Sequence, residues 1–185
     1  EDSAASGDLD VREVGSSLTI RGAGADVTTI DAASLERVFH IFAGATFNVE
    51  GVTITGGLVT GSEDGAGVRI IDGGTVAITD SVITANVSQN DAGGINNAGN
   101  LTLTRVTVSD NSAADTGGGI LNSGQLTIIE STIGGEYDPT DPTALDLRNT
   151  AVFEGGGIRN LPGGTLTASN STISGNVSTT SQGAG

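Results

Sequence analysis

The chain has 185 residues, of which 22 are acidic and 7 basic, all seven of them Arg, for a formal net charge of −15. That excess removes the basic surface a nucleic-acid binder needs and disfavours an anionic membrane surface as partner. Cys is absent and His40 is the single histidine, so disulfides, thiolate metal sites, thiol nucleophiles and multi-histidine metal sites are excluded.

The length suits one domain spanning residues 1–185. No apolar run reaches the ~18 residues of a membrane span, so this segment is expected not to insert in a membrane. Gly supplies 30 residues and the aromatics only five, Phe39, Phe42, Phe47, Tyr137 and Phe153, too few large side chains to fill a conventional two-layer core. A thin, repetitive architecture fits this composition better.

In chain order, segment 1–17 is polar and acidic and reads as an N-terminal edge strand or cap. Leu18, Ile20, Val27, Ile30, Phe39 and Ile41 form one or two irregular first coils. From residue 47 a template takes over, an apolar pair two apart followed at +5 and +7 by a second pair. Its sets are Phe47, Val49, Val52, Ile54, then Val76, Ile78, Ser81, Ile83, then Leu101, Leu103, Val106, Val108. Leu126, Ile128, Ser131, Ile133 and Leu166, Ala168, Ser171, Ile173 continue it. Period-2 pairs rich in β-branched residues are strand signals, and the odd step between pairs marks a bend.

A glycine signature separates these sets, at Gly65-Ala66-Gly67, Ala92-Gly93-Gly94, Gly117-Gly118-Gly119, Gly155-Gly156-Gly157 and Gly183-Ala184-Gly185. Its last glycines are 27, 25, 38 and 28 residues apart, which gives a base unit of about 25 residues with an insertion at 134–154. Three short strands per unit predict an all-β fold, a three-sided parallel β-helix (β-solenoid) of roughly six coils, with equivalent residues stacked about 4.8 Å apart.

Two asparagine columns stand out. Asn97, Asn122 and Asn160 follow each signature Ile by two, with Ile70 at the same place in an earlier coil; stacked amides there can bond along the column. Asn86, Asn111 and Asn176, with Gly57 and Glu136 in the other coils, mark a turn, since Asn and Gly tolerate left-handed backbone. Both sets read as structural columns.

No catalytic residue and no obligatory cofactor are assigned. The outward column His40, Arg69, Asn96, Leu121, Arg159 holds no carboxylate, whereas a polysaccharide lyase needs a cation-binding carboxylate cluster beside its Arg or Lys base. Asp80, Arg105 and Glu130 occupy successive coils, with the two carboxylates about 9.6 Å apart, slightly long for a glycosidase pair. An ion ladder on the surface explains them more simply. Within the insertion, Asp138 and Asp141 are the candidates for a calcium site, although their spacing fits no calcium-loop pattern. Asn86-Val87-Ser88, Asn100-Leu101-Thr102, Asn170-Ser171-Thr172 and Asn176-Val177-Ser178 match the glycosylation acceptor pattern, which Thr- and Asn-rich repeats also generate by composition.

The G-G-G-I-x-N signature, the L-T-[LI] strand and the S-T-I-x-x-N strand resemble the repeats of secreted bacterial and archaeal right-handed β-helix proteins. Gly7-Asp8-Leu9-Asp10-Val11, Leu18-Thr-Ile-Arg-Gly-Ala-Gly24 and Thr29-Ile30-Asp31 resemble the opening of proteins carrying a CSLREA region, in the style of polymorphic-outer-membrane-protein-like surface proteins. The resemblance implies export, with an extracellular or cell-surface location, and often a large parent chain. The expected function is a non-catalytic stalk, adhesin segment or head-to-tail fibre subunit, with a glycan or surface ligand as possible partner. The alternative is a carbohydrate-active enzyme or glycan-binding module on the same fold. The chain reaches Gly183-Ala184-Gly185 at the start of a further signature, so the last coil is expected to be covered by more chain or by another copy.

Overall fold

The computed structural model describes residues 8–12, 14–15, 17–136, 140 and 146–180. Six coils follow one another along a single axis. The first holds β1 (Leu9–Val11), β2 (Ser17–Arg21) and β3 (Thr29–Asp31); the second holds β4 (Phe39–Ile41), β5 (Thr46–Glu50), β6 (Thr53–Thr55) and β7 (Leu58–Val59). The third runs through β8 (Val68–Ile70), β9 (Thr75–Thr79), β10 (Val82–Thr84) and β11 (Val87–Ser88). The fourth comprises β12 (Ile95–Asn97), β13 (Asn100–Thr104), β14 (Thr107–Ser109) and β15 (Ser112–Ala113). β16 (Ile120–Asn122), β17 (Gln125–Ile129), β18 (Thr132–Ile133) and β19 (Thr150–Ala151) make the fifth. β20 (Ile158–Asn160), β21 (Thr165–Ser169), β22 (Thr172–Ile173) and β23 (Val177–Ser178) make the sixth.

Each strand pairs in parallel with its equivalent one coil away, giving four sheets ordered β1-β4-β8-β12-β16-β20, β2-β5-β9-β13-β17-β21, β3-β6-β10-β14-β18-β22 and β7-β11-β15-β19-β23. The parallel solenoid of about six turns is as expected, but four sheets stand where the sequence pattern reads three faces. The fourth sheet is built of two-residue strands, too short to show a period-2 pattern. In the first sheet Leu9, Phe39, Val68, Ile95, Ile120 and Ile158 are register partners, so the coils advance by 30, 29, 27, 25 and 38 residues.

The predicted inward positions form the core. Leu101, Leu103, Val106 and Val108 are buried, as are their partners from Phe47 to Ile54 and from Val76 to Ile83. Phe39 and Phe47, with ring centroids 4.9 Å apart, fill the wider second coil. Small side chains in this interior do specific work. Ser131 Oγ donates to Ile129 O at 2.7 Å and accepts from Val106 N at 3.0 Å, so the hydroxyl stitches two coils at the bend between second and third sheets. Ser81 repeats this with Thr79 O and Val52 N.

The insertion is shorter than 134–154. Asn149 is back in the wall, and Thr150–Ala151 pair with β15 on one side and β23 on the other. The excursion leaves after Glu136 and returns at Leu147, whose N–H donates to Glu136 O at 3.3 Å and whose carbonyl accepts from Asp110 N at 3.0 Å.

Candidate functional site

The second asparagine column is a buried hydrogen-bonded ladder. Asn86 Nδ2 donates to Asn111 Oδ1 at 3.0 Å, Asn111 Nδ2 to Asn149 Oδ1 at 3.0 Å, and Asn149 Nδ2 to Asn176 Oδ1 at 2.9 Å. The rung expected at Glu136 is Asn149, because the chain makes its excursion before completing the bend. Gly57 ends the column by donating its N–H to Asn86 Oδ1 at 2.9 Å. The left-handed residues are not these Asn but the residues before them, Ala85 at φ 54° and Asp110 at φ 55°. The amide is selected for its bonding capacity, since each Nδ2 also donates to wall carbonyls, as Asn111 does to Ile83 O and Ser109 O.

This ladder explains the glycine signature. A Cβ at Gly119 would lie 2.5 Å from Gly157 O and 3.0 Å from Asn149 Nδ2, and one at Gly94 would lie 2.4 Å from Gly119 O. Ladder and wall backbone approach too closely for any side chain. Asn86 and Asn176 are therefore consumed by the wall and closed to glycosylation, whereas Asn100 and Asn170 are exposed.

The first column behaves similarly. Asn97 Nδ2 donates to Asn122 Oδ1 at 2.7 Å and Asn122 Nδ2 to Asn160 Oδ1 at 2.6 Å. It stops at Ile70, so that among the described residues the buried Asn97 Oδ1 meets no hydrogen-bond partner.

On the surface, Arg105 closes a bidentate pair with Asp80, Nε to Oδ1 at 2.6 Å and Nη2 to Oδ2 at 2.8 Å. The Arg105 hydrogen bonds hold the Asp80 carboxyl below the usual carboxylate range. That is the opposite of what a general acid requires. Asp80, Arg105, Glu130 and Asn170 all have left-handed backbone, with φ between 48° and 53°, so this column is the outer corner of a bend.

The densest polar cluster lies beside the first sheet. Register places Asp10, His40, Arg69, Asn96, Leu121 and Arg159 in one outward column, so the column does hold a carboxylate, contributed by the irregular first coil where the repeat pattern does not extend. Arg37 lies buried beneath it, donating to Glu63 Oε2 at 2.8 Å, to Asp64 O at 3.1 Å and to Gly65 O at 3.3 Å, with Asp8 Oδ2 at 3.7 Å. Arg69 reaches the same Glu63 oxygen at 2.7 Å. Asp64 accepts from Asn90 Nδ2 at 2.8 Å, while Asp91 Oδ1 accepts from Thr116 Oγ1 at 2.7 Å. These links tie the irregular loops to neighbouring coils.

His40 stacks on Phe42 with centroids 4.0 Å apart, and its Nδ1 lies 3.8 Å from Asp10 Oδ1. Burial, then the positive charges of Arg37 and Arg69, push its pKa down to about 4, against the attraction of Asp10 and Glu63. Among the described residues its buried Nε2 meets no hydrogen-bond partner. Asp8, Asp10 and His40 are close enough together to share a cation, but Arg12 already donates to Asp10 Oδ2 at 2.7 Å and Arg37 stands beside Asp8. These arginines offset part of the negative charge, while burial and the neighbouring Asp10 still push the Asp8 carboxyl above its ordinary value. Asp138 and Asp141, the calcium candidates, lie outside the described residues.

A pH effect follows. The folded pKa of His40 lies below its ordinary 6.5, so on acidification the unfolded chain takes up the proton first. Stability from this residue is complete above pH 6.5 and falls progressively as the pH drops towards about 4, then levels off. Urea midpoints of the wild type and His40→Gln across that window should diverge, the wild type showing the steeper loss. A His40 NMR titration centred near 6.5 would contradict this account.

The chain is thus a parallel β-solenoid repeat protein whose polar columns serve mainly to bond coil to coil. No protein-family model, no curated protein and no solved structure matches it.

Proposed function

We propose that this protein is a non-catalytic β-solenoid serving outside the cell as a stalk, adhesin segment or fibre subunit, its coil stack continued end to end. One observation carries the reading: the same inward columns run in register through every described coil, from the first to the last. Leu166 and Ile173 in the last coil are 38% and 40% exposed, while their partners Leu126 and Ile133 are at 2% and 0%. In the first coil, Leu18 and Leu9 are 36% and 43% exposed against 0% for Phe47 and Phe39. Placing the first coil of a second copy on the last coil of the first sets Leu18 over Leu166 and Ile30 over Ile173, which continues both columns. Such a contact is heterologous and non-closing, and so generates a filament. The likeness of the glycine-signature repeats to secreted β-helix proteins supports the exterior location, and the likeness of residues 7–31 to CSLREA-region openings supports a surface role.

Sedimentation of the wild type should show mass rising with concentration, while Leu166→Asp, which sets an unpaired carboxylate in the contact, should remain monomeric and keep the β-sheet circular dichroism of the folded solenoid, with a thermal midpoint that no longer rises with concentration. A wild type that stays monomeric at every concentration would remove self-stacking from the account.

A further inference from the structure

The turn joining the first sheet to the second is four residues long at 42–45, 71–74 and 161–164, but only two residues long at 98–99 and 123–124. This alone makes one coil advance 27 residues and the next 25. Two successive short turns flanked by long ones leave a notch of about 370 Å³, walled by Asp72-Gly73 on one side and Gly163 on the other. Its walls are three coil steps apart, about 14 Å.

The lining is chemically narrow. Asn100 and Gln125 are register partners exposed on the floor, and Thr75 and Thr165 continue their column above and below. Among the described residues, Ser123 adds a hydroxyl, Asp72 is the only carboxylate, and the remainder is Ala98 and glycine backbone. Among the described residues no cationic side chain lines the notch, so a phosphate, sulfate or uronate would meet no counter-charge there in a chain of net charge −15. Without aromatic or large aliphatic side chains, it cannot hold a lipid or an apolar peptide anchor. One carboxylate alone does not make a cation site. A hydroxyl-rich, uncharged ligand is what a row of amides and hydroxyls satisfies, each group able to donate and accept.

We propose that this notch binds a neutral oligosaccharide, one or two sugar rings lying along the solenoid axis. Successive rings of an extended glycan advance by about the spacing between coils, so equivalent side chains meet equivalent hydroxyls. The site lies on the flank, away from the coil ends, and does not depend on end-to-end stacking.

The test is an amide NMR titration of the whole chain with cellobiose, xylobiose, maltose, mannobiose and chitobiose, and with digalacturonate as the charged comparison. At least one neutral disaccharide should shift Gly99, Asn100, Gly124 and Gln125. Asn100→Ala and Gln125→Ala should each weaken it about three- to tenfold. Exchanging turn 98–99 for a copy of 71–74 should fill the notch and abolish binding, with the thermal midpoint showing that the solenoid remains folded. If that exchange does not fold, the two alanine variants decide. Silence from every neutral sugar, stronger binding of digalacturonate, or binding indifferent to these substitutions would overturn the proposal.

Discussion

Leu103→Asp is expected to unfold the protein or to lower its stability by several kcal/mol. Leu103 is wholly buried between Ile78 and Ile128, where a carboxylate finds neither water nor a cation. Thr102→Asp, one residue away on the outward side of the same strand, should move the urea midpoint only slightly, because the pleat turns that side chain from the core. The contrast matters more than either value. Equal midpoints for the two variants would mean that β13 is set one residue out of register.

The second large effect is expected at the asparagine ladder. Asn111→Ala removes an amide that donates to Asn149 Oδ1, Ile83 O and Ser109 O and accepts from Asn86 N and Nδ2. Buried groups left without a partner cost about 1–3 kcal/mol each, so a loss of about 3–5 kcal/mol is expected where several are stranded together. Asn149→Ala should behave alike, and Glu136→Ala should be nearly neutral. Thermal midpoints that ranked Glu136 with Asn111 would restore the column as the sequence pattern drew it.

Legibility in the sequence followed how much chain each feature occupies. The second and third sheets were visible because Leu101, Leu103, Val106 and Val108 and their equivalents recur without a gap. The fourth sheet was not, since Ser112–Ala113 and Val87–Ser88 are too short to carry a period. Asn149 was hidden by the excursion that separates it from β18, although Asn149-Thr150-Ala151 repeats Asn111-Ser112-Ala113 closely enough to have marked it. The Arg37–Glu63–Arg69 cluster had no periodic signal, because Arg37 and Glu63 lie in loops between strands. The notch was present only as the drop in spacing from 27 to 25, a difference in turn length that gains meaning once the coils are stacked.

End-to-end continuation of the columns has a direct physical signature. Six coils at about 4.8 Å advance each copy by roughly 29 Å along a filament axis. Electron micrographs of the concentrated chain, with diffraction from aligned specimens, should show thin unbranched filaments and an axial reflection near ~4.8 Å, continuous from copy to copy. Discrete particles one chain long, with no filament at any concentration, would contradict end-to-end stacking of this chain.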